Sequence, residues 1–234
     1  MRSALIFLAT LALGGCARTA HAPPAAQPAT VAVRTPAVFA DDIARFEAAD
    51  RLAPPRPGSV LFIGSSSIRL WPALEADFPG TDVVQRGFGG SELSDVVHYA
   101  PRIVLPYQPR LIVLYAGDND LAAGKSPAAV FGEFQAFVAL VRRALPETRI
   151  AFIAIKPSGS RWAMAGKMRA ANDLIRGFIA SDPRLQYVDV FTPMLGPDGQ
   201  PREELFVADR LHMSSQGYAI WRDLIVPIVR GTAR

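Results

Sequence analysis

Between residues 60 and 190, short apolar runs alternate with longer stretches in which apolar residues recur every three or four positions. Five runs stand out: Val60 to Ile63, Val83-Val84, Leu111 to Tyr115, Ile150 to Ile155 and Tyr187 to Val190. Their length and β-branched content suit buried strands. The clearest helical period covers Pro127 to Leu145, where Val130, Phe131, Phe134, Phe137, Val138, Val141 and Leu145 share one face. Ser126 is its expected N-cap, and Pro127 takes the favoured first position. Further helices are predicted near Phe39 to Ala49, over Trp162 to Ala180, and after Ser214 or Ser215. The last should turn Tyr218, Trp221, Leu224, Ile225 and Ile228 inward. His98 falls in another helical stretch.

Strand alternating with helix predicts an α/β domain, a parallel sheet covered by helices on both faces. Ligands of such sheets bind beyond the carboxyl ends of the strands. Four polar or glycine-rich segments fall there. They are Gly64-Ser65-Ser66-Ser67, Arg86-Gly87-Phe88-Gly89-Gly90-Ser91, Gly117-Asp118-Asn119-Asp120 and Asp209-Arg210-Leu211-His212.

The start of the chain follows a different pattern. A short basic beginning, the apolar run Ala4 to Leu13 and the small residues before Cys16 describe a secretory signal. The run is too short to span a bilayer, which takes ~20 residues. Leu13-Gly14-Gly15-Cys16 resembles the bacterial lipobox, whose cysteine receives a diacylglycerol and becomes the new N-terminus. The expected division is a signal and lipobox over 1–16, an Ala/Pro-rich tether over 17–38 and a folded domain over 39–234. That resemblance implies export across the inner membrane and a lipid anchor on Cys16. Because Ala17 rather than Asp follows the cysteine, it points to the outer membrane, facing the periplasm or the cell surface. Cleavage after Ala20-His21-Ala22 is the alternative, and would leave Pro23 first. Mass spectrometry of the mature N-terminus should find lipidated Cys16. An unmodified chain starting at Pro23 would rule the anchor out.

Composition narrows the chemistry. Hydrophobic residues make up 50% of the 234 and charged residues 20%, which suits a packed core. A net charge of +4 without runs of like charge gives no nucleic-acid signal. The single cysteine excludes an internal disulfide and a cysteine-rich zinc site. Histidine is limited to His21, His98 and His212.

Ester hydrolysis by serine needs an activated hydroxyl, a base near neutral pH and donors for a developing oxyanion. His212 fits the base by its loop position and by Asp209 three residues earlier, although His98 also lies near a site segment. Each segment alone has a plainer reading as helix cap, tight turn or self-bonded loop. Together and in this order they resemble the signature blocks of the SGNH, or GDSL, hydrolase superfamily, over about residues 40 to 230. The resemblance implies a three-layer α/β/α sandwich on a five-stranded parallel sheet, the flavodoxin-like SGNH fold. It also implies Ser66 as nucleophile, Asp209 and His212 as its partners, and Ser66, Gly90 and Asn119 as the oxyanion hole. No cofactor or metal is implied, and the substrate is a small-molecule or glycan ester. The chain departs from the family at one point: the usual Gly-Asp-Ser-Leu reads Gly64-Ser65-Ser66-Ser67. Three consecutive serines leave the nucleophile's register to be tested.

Two other readings stay open on sequence. Asp118, Asp120 and Asp209 could ligate Mg²⁺ for phosphoryl transfer, with the serines contacting phosphate. An inactive, lipid-anchored binding or scaffold protein on the same fold is the other. Lys156, Arg161 and Trp162 either contact an anionic or sugar part of the substrate or cap and pack the next helix. Arg69 and Trp71 are read as part of the helix and core behind the serines.

Overall fold

A computed structural model describes residues 36–231. The expected signal, Cys16 and the tether through residue 35 lie outside the described residues. In chain order the elements are α1 (Ala40–Leu52), β1 (Val60–Gly64), α2 (Ser66–Arg69), α3 (Leu74–Asp77), β2 (Val83–Gly87), α4 (Leu93–Ile103) and β3 (Leu111–Tyr115). They continue as α5 (Asp118–Ala122), α6 (Pro127–Ala144), β4 (Arg149–Ile153), α7 (Ala165–Ile179), β5 (Leu185–Val188) and α8 (Ser215–Val229).

The five strands form one parallel sheet in the order β2-β1-β3-β4-β5, with Val60 beside both Val83 and Leu111. Every residue of β1 and β3 is buried, as expected of a parallel sheet covered on both faces. Helices α1, α4, α6 and α7 pack in series as one layer, with Phe134 of α6 edge-on to Phe152 of β4 at 5.0 Å. Helices α2, α3 and α8 make the other layer. There Trp71 lies edge-on to Phe62 of β1 at 5.9 Å, stacks on Tyr218 at 5.0 Å and meets Trp221 at 6.0 Å. The three-layer α/β/α sandwich is therefore the observed fold, and Trp71 belongs to its core, whereas Arg69 is exposed.

Several boundaries differ from expectation for local reasons. Strand β4 ends at Ile153 rather than Ile155, because the Asn172 side chain takes both the N–H and the C=O of Ile155, at 2.8 and 3.0 Å. Lys156 thus lies beyond the strand. Strand β5 covers Leu185–Val188 rather than Tyr187 to Val190, and β2 extends to Gly87. Both are edge strands with half-buried positions, so their apolar signal is diluted. The segment Gly159–Met164 is a 3₁₀ stretch broken at Arg161, and α7 begins only at Ala165. Leu224 is 37% exposed instead of inward, since it borders a groove where α8 overhangs the edge strand β5. Ser126 caps α6 through the Ala129 N–H at 3.1 Å, as its sequence predicts.

Candidate active site

The turn from β1 into α2 is forced by a close approach. Gly64 has φ +138°, and a Cβ there would stand 1.8 Å from the Tyr115 carbonyl oxygen. Only glycine fits that contact. The Tyr115 carbonyl also accepts the Ser65 N–H at 3.0 Å, and the Ser65 carbonyl accepts the N–H groups of Ile68 and Arg69. Ser66 therefore opens α2, half-buried, while Ser65 and Ser67 are each 1% exposed. Of the three serines, Ser66 is the one whose hydroxyl meets an imidazole: its Oγ is 2.9 Å from His212 Nε2.

His212 arrives on a loop closed by the Phe206–Met213 bridge, with the Val207 N–H donating to the His212 carbonyl at 2.9 Å. Arg210 takes φ +56° at its tip. That left-handed residue lets the N–H groups of both Leu211 and His212 reach Asp209 Oδ1 at 2.9 Å. Asp209 Oδ2 lies 2.5 Å from His212 Nδ1. A carboxylate can only accept, so it assigns the Nδ1 proton and leaves Nε2 as the lone pair facing Ser66. Partial burial works to raise the Asp209 pKa, but the three hydrogen bonds outweigh it and bring the group down to about 2. Helix α8 ties the two halves together. Ser214, two residues after His212, caps it, and Tyr218 OH donates to the Ser67 carbonyl at 3.0 Å. His98, in contrast, is exposed on α4 against Tyr99.

The second and third segments flank the first: the Phe88 N–H donates to the Gly64 carbonyl at 2.9 Å, and Gly64 pairs with Tyr115 at the end of β3. Asn119 Nδ2 donates to the Ser91 carbonyl at 3.0 Å, and its Oδ1 accepts from Arg161 Nη2 at 3.0 Å. Gly90, at φ +84°, lies in the turn before Ser91. Asp120 accepts the Leu93 N–H at 3.1 Å, so the third segment caps the first turn of α4 and fixes the glycine loop.

The fold is found in known proteins. Residues 63–220 match the GDSL-like Lipase/Acylhydrolase family. The chain belongs to that family. It is thereby a carboxylic ester hydrolase of the SGNH/GDSL superfamily. The platelet-activating factor acetylhydrolase IB subunit alpha1 of Bos taurus is 27% identical over 168 residues, covering 68% of this chain and 69% of the relative. A Streptococcus pneumonia protein provisionally described as a platelet activating factor superposes with TM-score 0.72 at 21% identity, over 81% of this chain and 91% of its own. A GDSL-like lipase from Bacteroides thetaiotaomicron gives TM-score 0.70 at 19% identity, over 82% and 98% of the two chains.

In this GDSL-like acylhydrolase, serine at position 65 leaves the turn intact, because backbone bonds and Gly64 carry its geometry. The carboxylates of the Mg²⁺ reading do not converge: Asp118 faces Lys156 and Arg161, Asp120 faces Lys125, and Asp209 faces His212. Among the described residues no group of three or more His, Cys, Asp or Glu is placed to hold a metal ion. No described helix is long and apolar enough to cross a membrane.

Two buried lysines organise this acylhydrolase around the site: Lys125, which the sequence did not single out, and Lys156, which it left between a substrate contact and a structural role. Lys125 Nζ, almost fully buried, lies 3.0 Å from Glu92, 2.9 Å from Asp120 and 2.6 Å from Glu133, and donates to Ser94 Oγ at 3.1 Å. Lys156, 1% exposed, sits 3.6 Å from Asp118 Oδ2 and 5.6 Å from the centre of the Tyr115 ring. Its burial pulls the ammonium pKa down, against the pull of Asp118. Lys156 is therefore structural, and Arg161 contacts Asn119 directly.

Proposed function

We propose that this acylhydrolase cleaves short-chain acyl or acetyl esters by two-step acyl transfer, with Ser66 as nucleophile and His212 as general base. The observation that carries the reading is the unbroken chain from Ser66 Oγ to His212 Nε2 to Asp209, at 2.9 and 2.5 Å. Ser66 Oγ attacks the ester carbonyl as its proton passes to Nε2. Asp209, ionised well below neutral pH, stabilises the imidazolium that results. The carbonyl oxygen, now carrying the charge, would be held by the Ser66 and Gly90 N–H groups and the Asn119 amide. When the ester C–O bond breaks, the imidazolium gives its proton to the departing alkoxide. Water then attacks the acyl-serine, His212 takes its proton and returns it to Ser66 Oγ, and the acid is released.

A small acyl group is supported by the acetylhydrolase name of the curated relatives. Acetylated glycans and small esters are the substrates we propose. A chain-length series of aryl esters, followed by acetate release from acetylated polysaccharides, tests this. Turnover should be highest with acetate and fall with acyl length; activity rising toward long chains would contradict it. Asn119→Ala is expected to lower kcat by about 10²–10³-fold, the usual cost of one oxyanion donor. An unchanged kcat would remove Asn119 from the site.

A further inference from the structure

Asparagine is an ambiguous oxyanion ligand, because its amide presents an acceptor at one end and a donor at the other in nearly the same shape. Turned the wrong way, Asn119 would aim Oδ1 at the developing negative charge. Two contacts decide the orientation from opposite ends. The Ser91 carbonyl can only accept, and it faces Nδ2 at 3.0 Å. The Arg161 guanidinium can only donate, and it faces Oδ1 at 3.0 Å. One Nδ2 hydrogen is used by Ser91, and the second remains for an oxyanion.

Arg161 is itself held. Its Nη1 lies 2.9 Å from Asp118 Oδ2, and Asp118 in turn faces the buried Lys156. The segment that carries Arg161 is fastened to the base loop by the Ser160 N–H, which donates to the Arg210 carbonyl at 3.1 Å. The Arg161 guanidinium bonded to Oδ1 polarises the amide toward an incoming oxyanion, and a low-dielectric setting strengthens that polarisation.

We propose that Arg161 is a positioning residue of the oxyanion hole: held by Asp118 and Lys156, it locks Asn119 with Nδ2 toward the reacting carbonyl. This rests on the role proposed above for Asn119. The test is a double-mutant cycle of Arg161→Ala and Asn119→Ala with an aryl acetate, reading kcat, KM and the thermal midpoint. Arg161→Ala should lower kcat by about 10–100-fold with KM within about twofold, a loss confined to the transition state. In the Asn119→Ala background it should change kcat by less than about twofold, because the group it positions is gone. Millimolar guanidinium should restore part of the activity of Arg161→Ala and none of Asn119→Ala. If Arg161→Ala does not fold, Arg161→Gln, a neutral donor, is read in the same cycle.

The two ideas fail differently. Wild-type kcat in the Arg161 variant beside a slow Asn119→Ala overturns the positioning role and leaves the oxyanion reading standing. Losses that multiply independently, or a raised KM at unchanged kcat, also overturn it, since Arg161 would then act on the substrate. Wild-type kcat in Asn119→Ala overturns both.

Discussion

Ser66→Ala is expected to lower kcat by roughly 10⁵–10⁶-fold toward an aryl acetate, the scale seen when a serine hydrolase loses its nucleophile. Ser65→Ala and Ser67→Ala should stay within about twofold of the parent. Ser65 Oγ is buried without a hydrogen-bond partner among the described residues, so its removal strands nothing. Ser67 offers its backbone carbonyl to Tyr218, which alanine retains, while its hydroxyl interacts with the buried Tyr115, so its loss falls on the thermal midpoint and not on the base. Initial rates, with thermal midpoints to verify folding, separate the three. Parent-level turnover in Ser66→Ala, with loss in either neighbour, would shift the register and break the link to His212.

The second large effect is on stability. Lys125→Met is expected to cost about 3–5 kcal/mol, since it strips the cation from three carboxylates that share it. Burial drives the Asp120 pKa up to about 7, helped by Glu133 and opposed by Lys125. One ammonium facing three carboxylates leaves excess negative charge, which acts in the same upward direction. A carboxyl that binds its proton more tightly when folded contributes stability below its unfolded value of 3.8, and loses it as pH rises through about 7. Without Lys125 the remaining carboxylates can relieve their repulsion by protonation at pH 5 but not at pH 8. Urea unfolding should therefore show the larger penalty at pH 8. A change below about 1 kcal/mol at both pH values would mean that the cluster is not held by its lysine.

What could be read from the sequence followed burial. Strands β1 and β3 are fully buried, so their unbroken apolar runs marked them to within a residue. The edge strands β2 and β5 face solvent in part, and their runs were correspondingly short or displaced. The pair Asp209 and His212 was legible because a local spacing of three suffices to join them. The choice between His98 and His212 needed the fold, which leaves His98 exposed on α4. The Lys125 cluster was hidden because its partners come from the N-cap of α4, from α5 and from α6, which only the tertiary structure brings together. One sequence signal did exist. The chain has three lysines, at 125, 156 and 167, among 25 basic residues, and two of them are buried in ion pairs. In a chain that otherwise uses arginine, those positions stand apart. The Arg161–Asn119 contact had no such signal, because its geometry depends on the break in the 3₁₀ segment after β4.

The central claim is that Ser66 is the residue that His212 activates. Reaction with a serine-directed fluorophosphonate, followed by peptide mapping, tests it most directly. One adduct per chain is expected, located on Ser66 and lost in His212→Ala. An adduct on Ser65 or Ser67, or none in a preparation that turns over an aryl acetate, would contradict it.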